Sequence, residues 1–256
     1  MRKPLVGINM KNYINTRKET ADWLESTIPL LENFSDVDTF IFPSMGTLET
    51  TATILAGKSF GFGPQNMAPE KSGPLTGEFS VESIIDLKAN YVEIGHAERK
   101  NIFHEEASQI AKKIKLALDE QITPVVCIGE QVKATTTVDL KDALKKQIDA
   151  LFQMIALSDW QNVVLAYEPE WAIGKASSAD TNYIETAHQA LRDIIRETGG
   201  NGNEKLVRII YGGSVSKENA AEIVRQKNVD GLFVGRFGHK PQNFADIVAI
   251  VSQMKG

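Results

Sequence analysis

The chain has 256 residues, 42% hydrophobic and 24% charged, with a formal net charge of −5. That length suits one large α/β barrel or two small domains, and the acidic balance excludes the basic stripe of a nucleic-acid-binding surface. No apolar run approaches the ~18 residues of a membrane span, and Arg2 and Lys3 precede no long apolar stretch, so the expectation is a cytoplasmic protein without membrane or nucleic-acid partners. The single Cys127 cannot form an internal disulfide or a cysteine metal cluster, and it reads as a small buried apolar residue.

Short apolar runs bounded by Gly, Pro or Asn alternate with longer amphipathic segments along the whole chain. The spacing predicts strands at 5–9, 39–42, 60–62, 91–94, 124–128, 163–167, 207–210 and 231–234. Helices are predicted to begin near Arg17, Gly46, Ser80, Glu106, Leu140, Thr181, Lys217 and Gln242. No Ser/Pro/Gly linker or charge block interrupts the alternation, which argues for a single domain over 1–256. Eight βα units in this length suit a closed (β/α)8 barrel, with a doubly wound open sheet as the alternative.

In a parallel barrel the chemistry lies where strands exit at their carboxyl ends. The first strand leaves through Asn9-Met10-Lys11, and period-two alternation sends Asn9 and Lys11 to one side. After the third strand, residues 67–79 are long for a βα loop and carry Pro69, Gly73, Pro74 and Gly77, the composition of a projecting finger. The fourth exit, Gly95-His96-Ala97-Glu98-Arg99, packs an imidazole, a carboxylate and a guanidinium together. His104 and His188 lie in ordinary helical surroundings, and the four histidines are too scattered for a metal site.

The sixth exit is the most informative. The apolar strand delivers Glu168, a candidate general base, into a segment that reads as a lid: Pro169, Glu170 and Trp171 as hinge, then Ala172, Ile173, Gly174, Lys175, Ala176 and Ser177. The seventh exit, Tyr211-Gly212-Gly213-Ser214, lets backbone N–H groups approach an anion, and the eighth continues Gly235-Arg236-Phe237-Gly238. Exits seven and eight are a common phosphate site in barrels.

These motifs, together with Gln65-Asn66, Gly73-x-x-Thr76-Gly77-Glu78 and Cys127-Ile128-Gly129-Glu130, resemble the triosephosphate isomerase family over essentially the whole length. The resemblance implies a (β/α)8 barrel, no cofactor or metal, and an aldose–ketose interconversion of a small phosphorylated sugar through an enediolate. It implies Glu168 as the carbon base, neutral His96 as the electrophile, Lys11 against developing negative charge and Asn9 as a supporting donor; the Glu–neutral His pairing is the established one of that family. It further implies phosphate binding by Gly174, Ser214, Gly235 and Arg236, a structural or catalytic carboxylate at Glu98 near Lys11, and a homodimer in which the loop around Thr76 docks near Lys11 of a second copy.

The departures bear on the substrate. Gly174 is followed by Lys175-Ala176-Ser177-Ser178 where the family carries Thr-Gly-Lys, and Glu170 precedes Trp171. Met10 replaces an aromatic residue, Ala97 a Ser, and Arg236 the second Gly of a phosphate-binding pair. The Gly-Leu-Phe-Val-Gly-Arg stretch and the lid look like the erythrulose-phosphate isomerases of tetritol catabolism. That favours a four-carbon ketose phosphate, L-erythrulose 1-phosphate to D-erythrulose 4-phosphate, over the glyceraldehyde 3-phosphate and dihydroxyacetone phosphate pair. Met10 and Ala97 are then expected to widen the non-phosphate end, and Arg236 to contact phosphate or a nearby carboxylate. A phosphate-ligand binding protein without catalysis is disfavoured by the intact Asn9, Lys11, His96 and Glu168.

Overall fold

In the computed structural model, which describes residues 2–175 and 177–256, the strands are β1 (Leu5–Asn9), β2 (Asp38–Phe42), β3 (Phe60–Phe62), β4 (Tyr91–Ile94), β5 (Thr123–Ile128), β6 (Val164–Tyr167), β7 (Arg208–Gly212) and β8 (Gly231–Val234). They form one parallel sheet in the order β3-β2-β1-β8-β7-β6-β5-β4. The two ends of that order meet. Asn90 N donates to Phe62 O at 3.1 Å, Glu93 N donates to Pro64 O at 3.0 Å, and the Asn90 side-chain oxygen accepts from Phe62 N at 3.1 Å. The sheet is therefore curled into a nearly closed barrel, and the open-sheet alternative is set aside.

Around it run α1 (Arg17–Leu31), α2 (Leu48–Leu55), α3 (Val81–Asp86), α4 (Ala97–Ile102), α5 (Ala107–Asp119), α6 (Thr137–Phe152), α7 (Thr181–Gly199), α8 (Ala220–Val224) and α9 (Pro241–Lys255). The predicted starts fall within three residues of the observed ones, because most are marked by side chains that satisfy orphan N–H groups. Thr16 and Glu19 form a reciprocal capping box at α1, and Ser80, Thr136 and Asp180 cap α3, α6 and α7. Helix α4 has no counterpart among the predicted elements. Its six residues are too few to show a 3.6-residue period, and its cap is a histidine.

Side-chain alternation divides the core in two. Leu5, Phe40, Phe42, Tyr91, Val125, Cys127, Val164, Ala166, Ile210 and Phe233 fill the barrel interior. The opposite faces of the strands join the helices in a larger outer layer. Phe40 spans the interior, with its ring 4.8 Å from that of Tyr91 and 5.8 Å from that of Phe233, and Gly7 leaves the space: a Cβ there would lie 2.0 Å from the Phe40 ring. Cys127 is buried as expected. Among the described residues no helix is long and apolar enough to cross a membrane.

The seam between β3 and β4 depends on Gly63, where a Cβ would fall 1.7 Å from the Tyr91 carbonyl oxygen. Backbone cannot yield as a flexible side chain can, so Gly63→Ala is expected to cost about 2–4 kcal/mol. Urea unfolding checks this, and an unchanged midpoint at unchanged slope would show that the seam closes without this glycine.

Candidate active site

The first exit is held by a relay of hydrogen bonds. Asn9 is 5% exposed and donates through Nδ2 to Glu93 Oε1 and Oε2 at 2.9 and 2.8 Å, while its Oδ1 accepts from Lys11 N at 2.7 Å. Lys11 adopts a φ of 47°, unfavourable for a residue with a side chain. Gln65 supports it by donating to Lys11 O at 2.9 Å. The ammonium then reaches Glu98 Oε1 at 2.5 Å. Burial works against the Lys11 charge, but the hydrogen bond to Glu98 and the surrounding carboxylates outweigh it and raise the pKa above the ordinary lysine value.

His96 caps α4: its Nδ1 accepts from Glu98 N at 3.1 Å. A ring nitrogen that accepts carries no proton, so in the neutral ring the proton sits on Nε2. Burial pushes the His96 pKa below the ordinary imidazole value, and the Lys11 charge adds to that against the pull of Glu168. The result is a neutral imidazole with its Nε2–H turned toward Glu168 Oε2, 3.7 Å away.

Glu168 follows β6 directly and is 8% exposed. Its Oε2 is buried with no hydrogen-bond partner among the described residues. The carboxylate lies against Gly212, where a Cβ would sit 2.4 Å from Glu168 Oε1, so the glycine pair after β7 makes room for the acid as well as for any ligand.

The segment after Glu168 is tied down over the barrel mouth. Trp171 Nε1 donates to Glu130 Oε1 at 2.8 Å, and the Tyr167 and Tyr183 hydroxyls donate to the same carboxylate. Glu170 is gripped by Lys100 Nζ and Asn101 Nδ2, each at 2.8 Å. Ser214 Oγ lies 3.2 Å from Ala172 O and 2.8 Å from Lys175 O, and Tyr211 Oη accepts from Ala179 N at 3.0 Å. Ala176, expected within the lid, lies outside the described residues.

A cavity of about 160 Å³ gathers Asn9, Lys11, His96, Glu98, Glu168, Ile173, Gly174, Ser214, Gly235 and Arg236. The sequence-derived candidates therefore meet in one place, with the titratable groups at one end and the glycine-rich turns at the other. A second cavity of about 440 Å³ shares Asn9, Lys11, His96 and Glu98 and is otherwise lined by Gln65, Glu93, Phe103 and neighbouring residues. Thr76 lies apart from both, exposed on the 67–79 loop.

Two expectations need correction. Arg236 does not point at a carboxylate; its Nη2 donates to Lys175 O at 2.8 Å and approaches Gly174 O at 3.5 Å, so the guanidinium straps the lid to the eighth exit. Met10 and Ala97 do not widen the site. Alternation that turns Asn9 and Lys11 inward turns Met10 outward, where it is 2% exposed in the helix-facing layer, and Ala97, the first residue of α4, lines neither cavity. Sequence reasoning also missed Glu93 and the lid anchor Glu130. The signal for Glu93 was present: a charged residue at an inward position of an apolar strand.

A parallel barrel whose strand exits gather a buried carboxylate, a neutral imidazole and an ammonium beside glycine-rich turns defines an enzyme of the (β/α)8 class. The family model for triosephosphate isomerase matches residues 4–251, and the chain belongs to that family of isomerases. It is 85% identical over 256 residues, all of both chains, to a Listeria innocua protein named triosephosphate isomerase 2, and 84% identical over the same length to a probable triosephosphate isomerase 2 of Listeria monocytogenes. A triosephosphate isomerase of Citrifermentans bemidjiense is 34% identical over 248 residues, 97% of this chain and 98% of that one.

If Arg236 straps the lid, Arg236→Gly will loosen it. Hydrogen exchange at the amides of 172–175 is expected to quicken roughly 2- to 10-fold, the equivalent of one net hydrogen bond at an exposed site. Unaltered exchange there would mean that the Ser214 and Tyr211 contacts hold the lid alone.

Proposed function

We propose that this enzyme moves a carbonyl along a small phosphorylated sugar by proton transfer through an enediolate. Glu168 takes a proton from the carbon beside the carbonyl and returns it to the neighbouring carbon. His96 polarises the carbonyl oxygen through Nε2–H and exchanges the oxygen-bound protons, Lys11 offsets the developing oxyanion, and Asn9 is a supporting donor. The observation that carries this reading is the unpartnered Glu168 Oε2, buried 3.7 Å from His96 Nε2 in a cavity that ends in glycine-rich turns. Backbone groups of Gly174, Ser214, Gly235 and Arg236 would hold the phosphate, and the lid would exclude water from an intermediate prone to lose it.

The preferred substrate in this proposal is a four-carbon ketose phosphate, interconverted between L-erythrulose 1-phosphate and D-erythrulose 4-phosphate. Its support is the resemblance around Gly235-Arg236 and the lid. Triosephosphate isomerisation is the second reading, favoured by the names of the relatives. Parallel kcat/KM measurements with an erythrulose phosphate and with glyceraldehyde 3-phosphate decide between them, since that ratio reports transition-state discrimination.

Glu168→Gln tests the chemistry. The amide keeps the shape but cannot take the proton, so kcat should fall on the order of 10²–10⁴-fold while affinity for a phosphorylated ligand stays nearly constant. A loss below tenfold would place the base elsewhere.

We also propose a homodimer built through residues 67–79. The finger is closed at its base by Ala68 N donating to Phe79 O at 2.8 Å and leaves Thr76 exposed. Beside Lys11, the 440 Å³ cavity is rimmed by Tyr13 and Phe103, 66% and 63% exposed, apolar surface that a second copy's finger would cover. Sedimentation at micromolar concentration should give a dimer; a stable, fully active monomer would refute the docking.

A further inference from the structure

One buried acid has no part in the chemistry proposed above. Glu93 occupies an inward position of β4, is 1% exposed, and lines the second cavity beside Asn9, Lys11 and His96. Both carboxyl oxygens face the same donor, Asn9 Nδ2, and Oε1 lies 3.8 Å from the Cys127 thiol. Burial pushes its pKa well above the usual carboxylate range, and the nearby Glu168 charge reinforces the shift. Each carboxyl oxygen keeps a lone pair beyond the one that faces Asn9.

Among the described residues, Asn9 Nδ2 and the Cys127 thiol are the groups within hydrogen-bond reach of the Glu93 carboxyl, and a thiol is a weak donor. The carboxyl lines the second cavity, so it has acceptor capacity left for a ligand hydroxyl there. Met10 and Ala97 face away from the cavities and offer nothing to such a hydroxyl, whereas Glu93 stands inward beside it.

We propose that Glu93 is a specificity-determining residue, its carboxyl hydrogen-bonding a hydroxyl carried on the substrate carbon beyond the reacting pair, at the end away from the phosphate. This rests on the four-carbon reading, because a three-carbon substrate has no such hydroxyl. The competing role is structural: Glu93 could serve only to orient Asn9, and every substrate would then feel its loss equally. A site built to hydrogen-bond a hydroxyl instead discriminates against the substrate that lacks it.

The test is kcat/KM for an erythrulose phosphate and for glyceraldehyde 3-phosphate with the wild type, E93Q, E93V and E93M, each checked for folding by circular dichroism. Methionine matches glutamate in length without its hydrogen bonds, so it serves if valine leaves too large a void. E93V or E93M should lower the four-carbon to three-carbon ratio roughly 10- to 100-fold, whereas E93Q, which keeps a donor and an acceptor, should stay within about fivefold of the wild-type ratio. A wild type that turns over the four-carbon sugar, with a ratio that neither E93V nor E93M alters, overturns the inference alone. A wild type without four-carbon turnover overturns the four-carbon reading and this inference with it.

Discussion

The site depends on a relay of hydrogen bonds that starts in the barrel interior. Glu93 holds the Asn9 amide, Asn9 holds the Lys11 backbone, and Lys11 reaches Glu98 on the fourth exit. Lys11 has a positive φ, which costs about 1–3 kcal/mol. Two backbone contacts offset that cost: Asn9 Oδ1 on the Lys11 N–H and Gln65 Nε2 on its carbonyl, each worth about 0.5–1.5 kcal/mol net. The sum is close to balance, and the ion pair with Glu98 adds to the holding side. Charge at this exit is thus part of what shapes the backbone as well as what faces the substrate.

A second carboxylate, Glu130, organises the opposite side. It takes the Tyr167 and Tyr183 hydroxyls and the Trp171 indole N–H, joining the end of β6, the hinge of the lid and the first turn of α7. Glu168 lies between the first and last of those anchors in sequence. The backbone that carries it is therefore held by the same contacts that hold the segment after it. His96 is held separately, by capping α4.

Strands and helix starts were legible because their signals are local: short apolar runs between turn formers, and Ser, Thr or Asp directly ahead of a helical stripe. The exits gave Asn9, Lys11, His96 and Glu168 for the same reason, since alternation and strand ends can be counted along the chain. What could not be read was set by side chains meeting across the fold. The contact of Arg236 with the Gly174 and Lys175 carbonyls depends on where the segment after β6 rests, which is a tertiary fact. Met10 was credited with shaping the site although the alternation that turns Asn9 inward turns it out; the pattern was in hand and was not carried one residue further. Glu93 was overlooked inside an otherwise apolar strand, where its environment comes from β1 and β5.

The lid contacts have an energetic consequence. Arg236 and Ser214 on the Lys175 carbonyl, Tyr211 on Ala179 N and Lys100 on Glu170 hold the segment over the barrel mouth. At about 0.5–1.5 kcal/mol for each hydrogen bond, with the part-buried ion pair beside them, they bias the segment toward the barrel mouth by a few kcal/mol before the entropy of ordering it is subtracted. A bias of that kind lowers the share of substrate binding energy consumed in closing the lid. It also slows opening, since entry and product release must first break the same contacts. Replacing a glycine by Arg236 at the eighth exit adds one contact to the closed side only. The substitution therefore acts on the balance between closure and release for any phosphorylated substrate, while discrimination between substrates of different length has to come from the inward groups at the other end of the cavity.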